Sequence, residues 1–269
     1  MNDGIILWEA HRAGAGGTEL PESCMAAFEY GWEMGGRPEA DVNMTSDGVM
    51  VSLHDSTLDR IGRNLPENLK GRNISDMTWA ELQTADVGWD EFPDQHVPSL
   101  EMLFARLRER PDRHMIIDYK RVSLELLADM INRYGVAGQI TFASNRRELL
   151  RKFKALAPEA RTKNWLGGAA ENIIAQFRTL EREDFAGITE VQLHLNDADG
   201  GAWRYALPPD FVSEALRITK EHGVLLQVLP WAFEQDDLHA ILDLGVRSFA
   251  VDYPNKFKKY CAVYFARGV

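Results

Sequence analysis

Short runs of β-branched and aromatic residues alternate along this chain with stripes whose apolar positions recur three and four residues apart, and each pattern predicts its own element. The first run, Ile5 to Ala10, ends at His11-Arg12 and a Gly-rich loop from Ala13 to Gly17. Pro21 then opens a helix with a Met25, Phe28, Trp32 stripe, and Gly35-Gly36 stop it. A second strand covers Glu39 and its neighbours and returns through a hairpin over Val49 to His54. Residues 56–97 are polar and turn-rich and read as an insertion, with a capping box from Thr78 to Glu81 at the start of a short helix. Pro98-Ser99 begin another helix, through Arg108.

From there strand and helix follow one another regularly. Strand His114 to Tyr119 precedes a helix over Ser123 to Tyr134 that Gly135 ends, and strand Gln139 to Ala143 precedes a helix with Asn145 and Glu148 as a second capping pair. Strand Arg161 to Leu166 leads through Gly167-Gly168 to a helix over Glu171 to Leu180, and strand Ile188 to Leu195 leads to a helix over Pro209 to His222. Strand Val224 to Leu229 ends near Pro230-Trp231 and is followed by a helix over Asp236 to Leu244. The last strand, Arg247 to Val251, ends at Asp252-Tyr253-Pro254. Setting the hairpin's return arm aside, eight strands each precede or follow a helix in 269 residues. The expected fold is α/β, a closed (β/α)₈ TIM barrel with a hairpin and a small insertion after the second strand. One domain is expected to span residues 1–269, with the insertion at about 56–97. His11 to Gly17 does not spell the GxGxxG fingerprint that a doubly wound nucleotide-binding sheet would carry after its first strand.

Composition narrows the possible partners. An apolar fraction of 45% and a charged fraction of 26% are those of a soluble globular chain. No run approaches the roughly 18 apolar residues of a membrane span, and the first strand follows the N-terminus without a basic leader. A net charge of −11 opposes binding to nucleic acid. Two distant cysteines, Cys24 and Cys261, suit a reducing compartment, so a cytoplasmic location is expected. Nothing in the sequence bears on oligomeric state.

The candidate chemistry gathers on Glu39 to Asp55. Asp47-Gly48 between two strand-like runs predicts a two-residue hairpin turn, which would pair Ser46 with Val49 and bring Asp41 opposite His54. The period of two puts Glu39 on the face of Asp41. Carboxylates at alternate positions also describe the wet face of an ordinary hairpin, but in a barrel the strands' carboxyl ends carry the active site. Those ends hold His11 and Arg12, Glu39 and Asp41, Asp118 and Lys120, with His54 delivered by the hairpin. Burying such a set without pairing would be costly. Oxygen ligands suit one hard divalent cation, Mg²⁺ or Ca²⁺, and the histidines can move protons. Trp165 and Trp231 are candidates to line the substrate pocket, while Gly14, Gly16 and Gly17 could let backbone amides approach a phosphate. Asp252 could face the site from the last strand, Glu22 could anchor Arg12 or cap the helix and reads as structural, and His194 reads as a core histidine.

At these residues the chain resembles the glycerophosphodiester phosphodiesterase family, among the phospholipase C-like phosphodiesterase barrels. Its motifs are matched in order by His11-Arg12-Ala13, Pro21-Glu22-Ser23, Glu39-Ala40-Asp41-Val42, Thr45-Ser46-Asp47-Gly48, His54-Asp55, Asp118-Tyr119-Lys120 and Val251-Asp252-Tyr253-Pro254. The resemblance implies that Glu39, Asp41 and Asp118 hold a divalent cation, that His11 and His54 serve as general base and acid, and that Arg12 and Lys120 hold phosphate oxygens. It implies hydrolysis of a small phosphodiester to glycerol 3-phosphate and an alcohol. Four departures stand out: Asp118 replaces a glutamate, Ala13 a glycine and Ser23 an asparagine, and Val228-Leu229-Pro230-Trp231 stands in place of a late W-T-V-N pattern. Asp118 matches the sphingomyelinase D-like relatives, so the alternatives are a lyase that forms a cyclic phosphate and an enzyme for another, sugar-linked, phosphodiester.

Overall fold

The computed structural model describes residues 5–14, 18–198 and 200–267. Eight parallel strands close into a barrel, in which β1 (Leu7–Ala10) pairs on one side with β2 (Arg37–Met44) and on the other with β9 (Ser248–Val251). Between β2 and β9 the parallel order runs through β4 (Met115–Tyr119), β5 (Ile140–Ser144), β6 (Arg161–Leu166), β7 (Glu190–Leu195) and β8 (Leu225–Pro230). The short β3 (Met50–Ser52) returns antiparallel against β2. This is the expected (β/α)₈ barrel.

Several connecting helices follow from local signals. Helix α1 (Met25–Glu33) buries Phe28 and Trp32, two residues of its expected stripe. In the segment after β3, Thr78 and Glu81 form the capping box of α2 (Trp79–Leu82), and Leu58, Leu69, Ile74, Leu82 and Val87 are buried beneath a polar exterior. Ser99 caps α3 (Leu100–Glu109), and Ser123 caps α4 (Leu124–Tyr134), which ends on Gly135 at φ 68°, the left-handed region glycine tolerates best. Then follow α5 (Arg147–Leu156), α6 (Ala170–Arg182), α7 (Pro209–Glu221) and α8 (Gln235–Asp243). A further helix that the sequence pattern did not indicate, α9 (Pro254–Ala266), follows the last strand and buries Phe257.

Two local expectations are corrected. The hairpin pairs Val42 with Ser52 and Met44 with Met50, so the loop between Thr45 and Val49 holds three residues, with Gly48 at φ 84°. Thr45 Oγ1 accepts from the Val49 amide at 2.9 Å and Asp47 Oδ1 from the Trp79 amide at 2.9 Å, which fixes the longer loop against the start of α2. Asp41 therefore faces Leu53, whose amide donates to its carbonyl at 2.7 Å, and not His54. The second correction concerns α5, whose N-cap is Arg146 and has no side-chain cap, so Asn145 and Glu148 do not form the expected pair.

The barrel interior is charged below the mouth. Arg37 donates twice to Glu190, at 2.8 and 3.2 Å, and Lys163 pairs with Glu9, all four residues being buried. Buried charges persist when each meets its opposite.

Candidate functional site

Strand register assembles the acidic residues. Glu39 and Asp41 lie two apart on β2 and so share a face, and the parallel pairing of β2 with β4 sets Asp41 level with Asp118. The three carboxylates offer oxygens that all lie within 4.8 Å of one another, and all three residues are buried. Burial and mutual repulsion push the Glu39 and Asp41 carboxyls above the usual range, with Lys120 opposing the rise at Asp41. Asp41 Oδ2 has no hydrogen-bond partner among the described residues. A buried carboxylate trio with an unmatched oxygen lacks positive charge. Lys120 supplies part of it, with Nζ 3.0 Å from Asp41 and 2.6 Å from Asp118. Burial works against the Lys120 charge, but the two acids outweigh it and raise its pKa.

His11 arrives by the same logic at the barrel seam. Ala10 pairs with Val251 across β1 and β9, so the residues that follow lie side by side, with His11 Nδ1 2.6 Å from Asp252 Oδ1. His11 Nε2 lies 3.7 Å from Glu39. Burial lowers the imidazole's proton affinity, but Glu39 and then Asp252 overcome it and raise the pKa to about 9. The backbone amide of Arg12 donates to Glu39 at 3.0 Å from a left-handed φ of 52°. Ala13 at φ 70° adopts the conformation that glycine enters most readily, so the alanine standing at the family's glycine is held there by its surroundings.

His54 reaches the site although the expected cross-strand pairing is absent. It lies just beyond β3, and its Nδ1 is 2.7 Å from Asp55. Burial lowers its pKa; Asp55 opposes this, while Lys120 and Arg12 add to it. Trp165 donates its indole N–H to Asp118 at 3.0 Å. A cavity of about 140 Å³ is bordered by His11, Arg12, Glu39, Asp41, His54, Asp118, Lys120, Trp165 and Trp231.

The same cavity is bordered by Glu9, Gln192 and Leu229, which the sequence did not single out for the site, and by His194. His194, read as core, stacks on Trp165 at 5.4 Å and 8° and meets Trp231 edge-on at 5.3 Å. Burial, then the charges of His11 and Lys163, push its pKa down to about 4, so it stands neutral. A side chain on Gly167 would meet its Nδ1 at 2.7 Å. The signal available was position, since His194 precedes the last residue of β7 at the reactive end. Glu22 accepts from both Arg12 and Arg60. Gly14 packs against helix α1, where an added Cβ would lie 2.4 Å from Ala27 Cβ, which accounts for it without a phosphate. Gly16 and Gly17 lie outside the described residues. Cys24 and Cys261 are free, and burial raises both thiols, Cys261 to about 12.

Comparison with known proteins bears on this arrangement. A family model described as the Glycerophosphoryl diester phosphodiesterase family matches residues 11–256. A glycerophosphodiester phosphodiesterase of Bacillus subtilis (strain 168) is 25% identical over 279 residues, covering 94% of this chain and 86% of its relative. Among solved structures, a glycerophosphodiester phosphodiesterase from Agrobacterium tumefaciens str. C58 has a TM-score of 0.71 at 20% identity, over 95% of this chain and 100% of that one. An Oleispira antarctica phosphodiesterase in complex with the product sn-glycerol-3-phosphate has a TM-score of 0.72 at 20% identity, over 96% and 97% of the two chains.

Proposed function

The chain belongs to the glycerophosphoryl diester phosphodiesterase family, and from that premise we propose that it hydrolyses glycerophosphodiesters to glycerol 3-phosphate and an alcohol with the help of one divalent cation. The observation that carries the reading is the convergence of three buried carboxylates, two histidines, Arg12 and Lys120 on one cavity. We read residues 1–269 as one catalytic unit, with 56–97 as an insertion, and place it in the cytoplasm, which its two free thiols suit.

Glu39, Asp41 and Asp118 would hold the cation. An all-oxygen buried set with an unmatched Asp41 oxygen suits Mg²⁺ or Ca²⁺. When bound, such an ion polarises phosphoryl oxygens and offsets the charge that grows in the transition state. Arg12 and Lys120 would take the remaining phosphate oxygens, and Arg12 Nε, buried and without a partner among the described residues, is a donor left for that purpose. Trp165 and Trp231 would wall the pocket for the rest of the substrate.

The two imidazoles would divide the proton transfers. In the order that the resemblance implies, His11 Nε2 takes a proton from the attacking water and His54 gives one to the leaving alcohol oxygen as the bond from phosphorus breaks. His11 can act as base once the charge of Glu39, the main attraction on its proton, is neutralised. His54 gains proton affinity when Arg12 and Lys120, both of which lower it, engage a phosphate. A coupled assay for glycerol 3-phosphate across a panel of diesters, with and without chelator, tests the reading. His11→Ala and His54→Ala should each lower turnover by about 10²–10⁴-fold with the fold intact. A cyclic phosphate as the end product would assign the lyase reaction instead, and full activity in chelator would remove the cation.

A further inference from the structure

We propose that Arg60 is a positioning residue that holds Arg12 and His54 in place together, through two carboxylates clasped by one guanidinium. The inference rests on the catalytic reading above and deepens it.

Arg60 lies in the segment that follows the hairpin, and none of the family motifs matched above includes it. Its Nη1 and Nη2 donate to the two oxygens of Glu22 at 2.8 and 2.6 Å, and its Nε donates to Asp55 Oδ2 at 2.6 Å. Each carboxylate then turns to a residue of the cavity. Glu22, only 3% exposed, accepts from Arg12 Nη1 at 3.3 Å, and Asp55 Oδ1 meets His54 Nδ1 at 2.7 Å. Partial burial would raise the Asp55 carboxyl, but Arg60 and His54 hold it below its ordinary range, so it is ionised and can only accept. His54 Nδ1 must therefore carry the proton of that bond, which leaves Nε2 for the cavity.

The planar fork explains why arginine stands here. Three N–H groups in one plane reach two carboxylates in fixed directions, which a lysine ammonium cannot do. Arg60 also shares the charge of Asp55. The charged groups facing His54 are Asp55 beside it, Lys120 from the end of β4 and Arg12 from the loop after β1. Removing Arg60 would leave Asp55 undivided against the imidazole and Glu22 with Arg12 alone.

The test uses the full chain with Arg60→Met and Arg60→Lys. The Arg60 side chain is 45% exposed, so both variants should fold, as circular dichroism would verify. NMR titration of the His54 ring, assigned with His54→Gln, should show its pKa move upward in Arg60→Met. The kcat/KM should fall by roughly tenfold or more, since small misplacements of reacting groups are costly. Arg60→Lys should restore the ring pKa through its charge but not the turnover, because the fork is lost. An unmoved His54 pKa in Arg60→Met, or kcat/KM within twofold of the parent in both variants, would overturn the proposal. The titration needs no substrate. If the parent cleaved no glycerophosphodiester, the functional reading would fail while the ring pKa still decided the role of Arg60.

Discussion

The Lys120 ammonium lies 2.6 Å from Asp118, placing a positive charge where the carboxylate trio most needs one. A divalent cation entering that trio competes with the lysine for the same oxygens, Asp41 included. In substrate-free protein Lys120→Met should therefore bind Mg²⁺ or Ca²⁺ more tightly, by roughly tenfold, or about 1.4 kcal/mol, even as its turnover falls. Fluorescence of Trp165, whose indole donates to Asp118, offers a signal for the titration. Weaker cation binding in the variant would mean that the lysine and the ion do not compete.

The pH dependence of His54 follows from its neighbours. Its pKa lies below the ordinary 6.5, lowered by burial and raised in part by Asp55. As the proposed general acid it must be protonated, so kcat/KM should decline as pH rises through that lowered value. Asp55→Asn removes a charge that favours the imidazolium, and the decline should move to still lower pH. The kcat limb, set in the substrate complex, should lie higher, because phosphate neutralises Arg12 and Lys120. A limb that moves upward in Asp55→Asn would show that the aspartate does not stabilise the His54 proton.

Much of this site was legible in the sequence because barrel geometry is periodic. Asp41 and Asp118 stand level because parallel strands align them, and each already lay within a strand-like run. His54 was placed at the site for a partly wrong reason, since a one-residue difference in hairpin loop length changes its partner while leaving it near the mouth. That loop is held by the local bond of Thr45 to the Val49 amide and also by Asp47 bonding to the Trp79 amide, 32 residues away, and no local pattern reports the second. Arg60 escaped for a related reason: arginine is common on turns, and only tertiary structure shows that it touches Glu22, 38 residues away in the chain. His194 was misread because a histidine inside an apolar run looks the same whether it faces the core or the cavity.

The buried pair below the mouth yields a stability prediction. Glu190→Gln keeps the shape of the side chain but leaves the Arg37 guanidinium, itself buried, without its bidentate partner. Breaking a buried ion pair in this way costs roughly 3–5 kcal/mol, measurable by chemical denaturation near neutral pH. Burial alone would raise the Glu190 carboxyl, yet Arg37 outweighs it and holds the pKa below the unfolded value of 4.5. Such a group stabilises at pH above that value and ceases to do so as pH falls through its folded pKa. The deficit of the variant should therefore narrow in acid, and a deficit independent of pH would place its origin elsewhere than in the charge.

Gly14 offers a test of how packing remote from the chemistry sets the site. A Cβ there would lie 2.4 Å from Ala27 Cβ and 3.0 Å from Ala27 Cα, on the buried face of α1. Gly14→Ala must push the loop after β1 away from that helix, and two residues earlier the Arg12 amide is bonded to Glu39. Overpacking of this kind typically costs about 1–3 kcal/mol, and kcat/KM should fall as Arg12 and His11 shift. Ala27→Gly removes the opposing methyl at a helix cost of roughly 0.5–1 kcal/mol. The double variant should thus regain kcat/KM while remaining less stable than the parent. If activity stayed low in the double variant, the backbone of Ala27, whose Cα would lie 3.0 Å from the new Cβ, and not its methyl alone, would set the position of the loop.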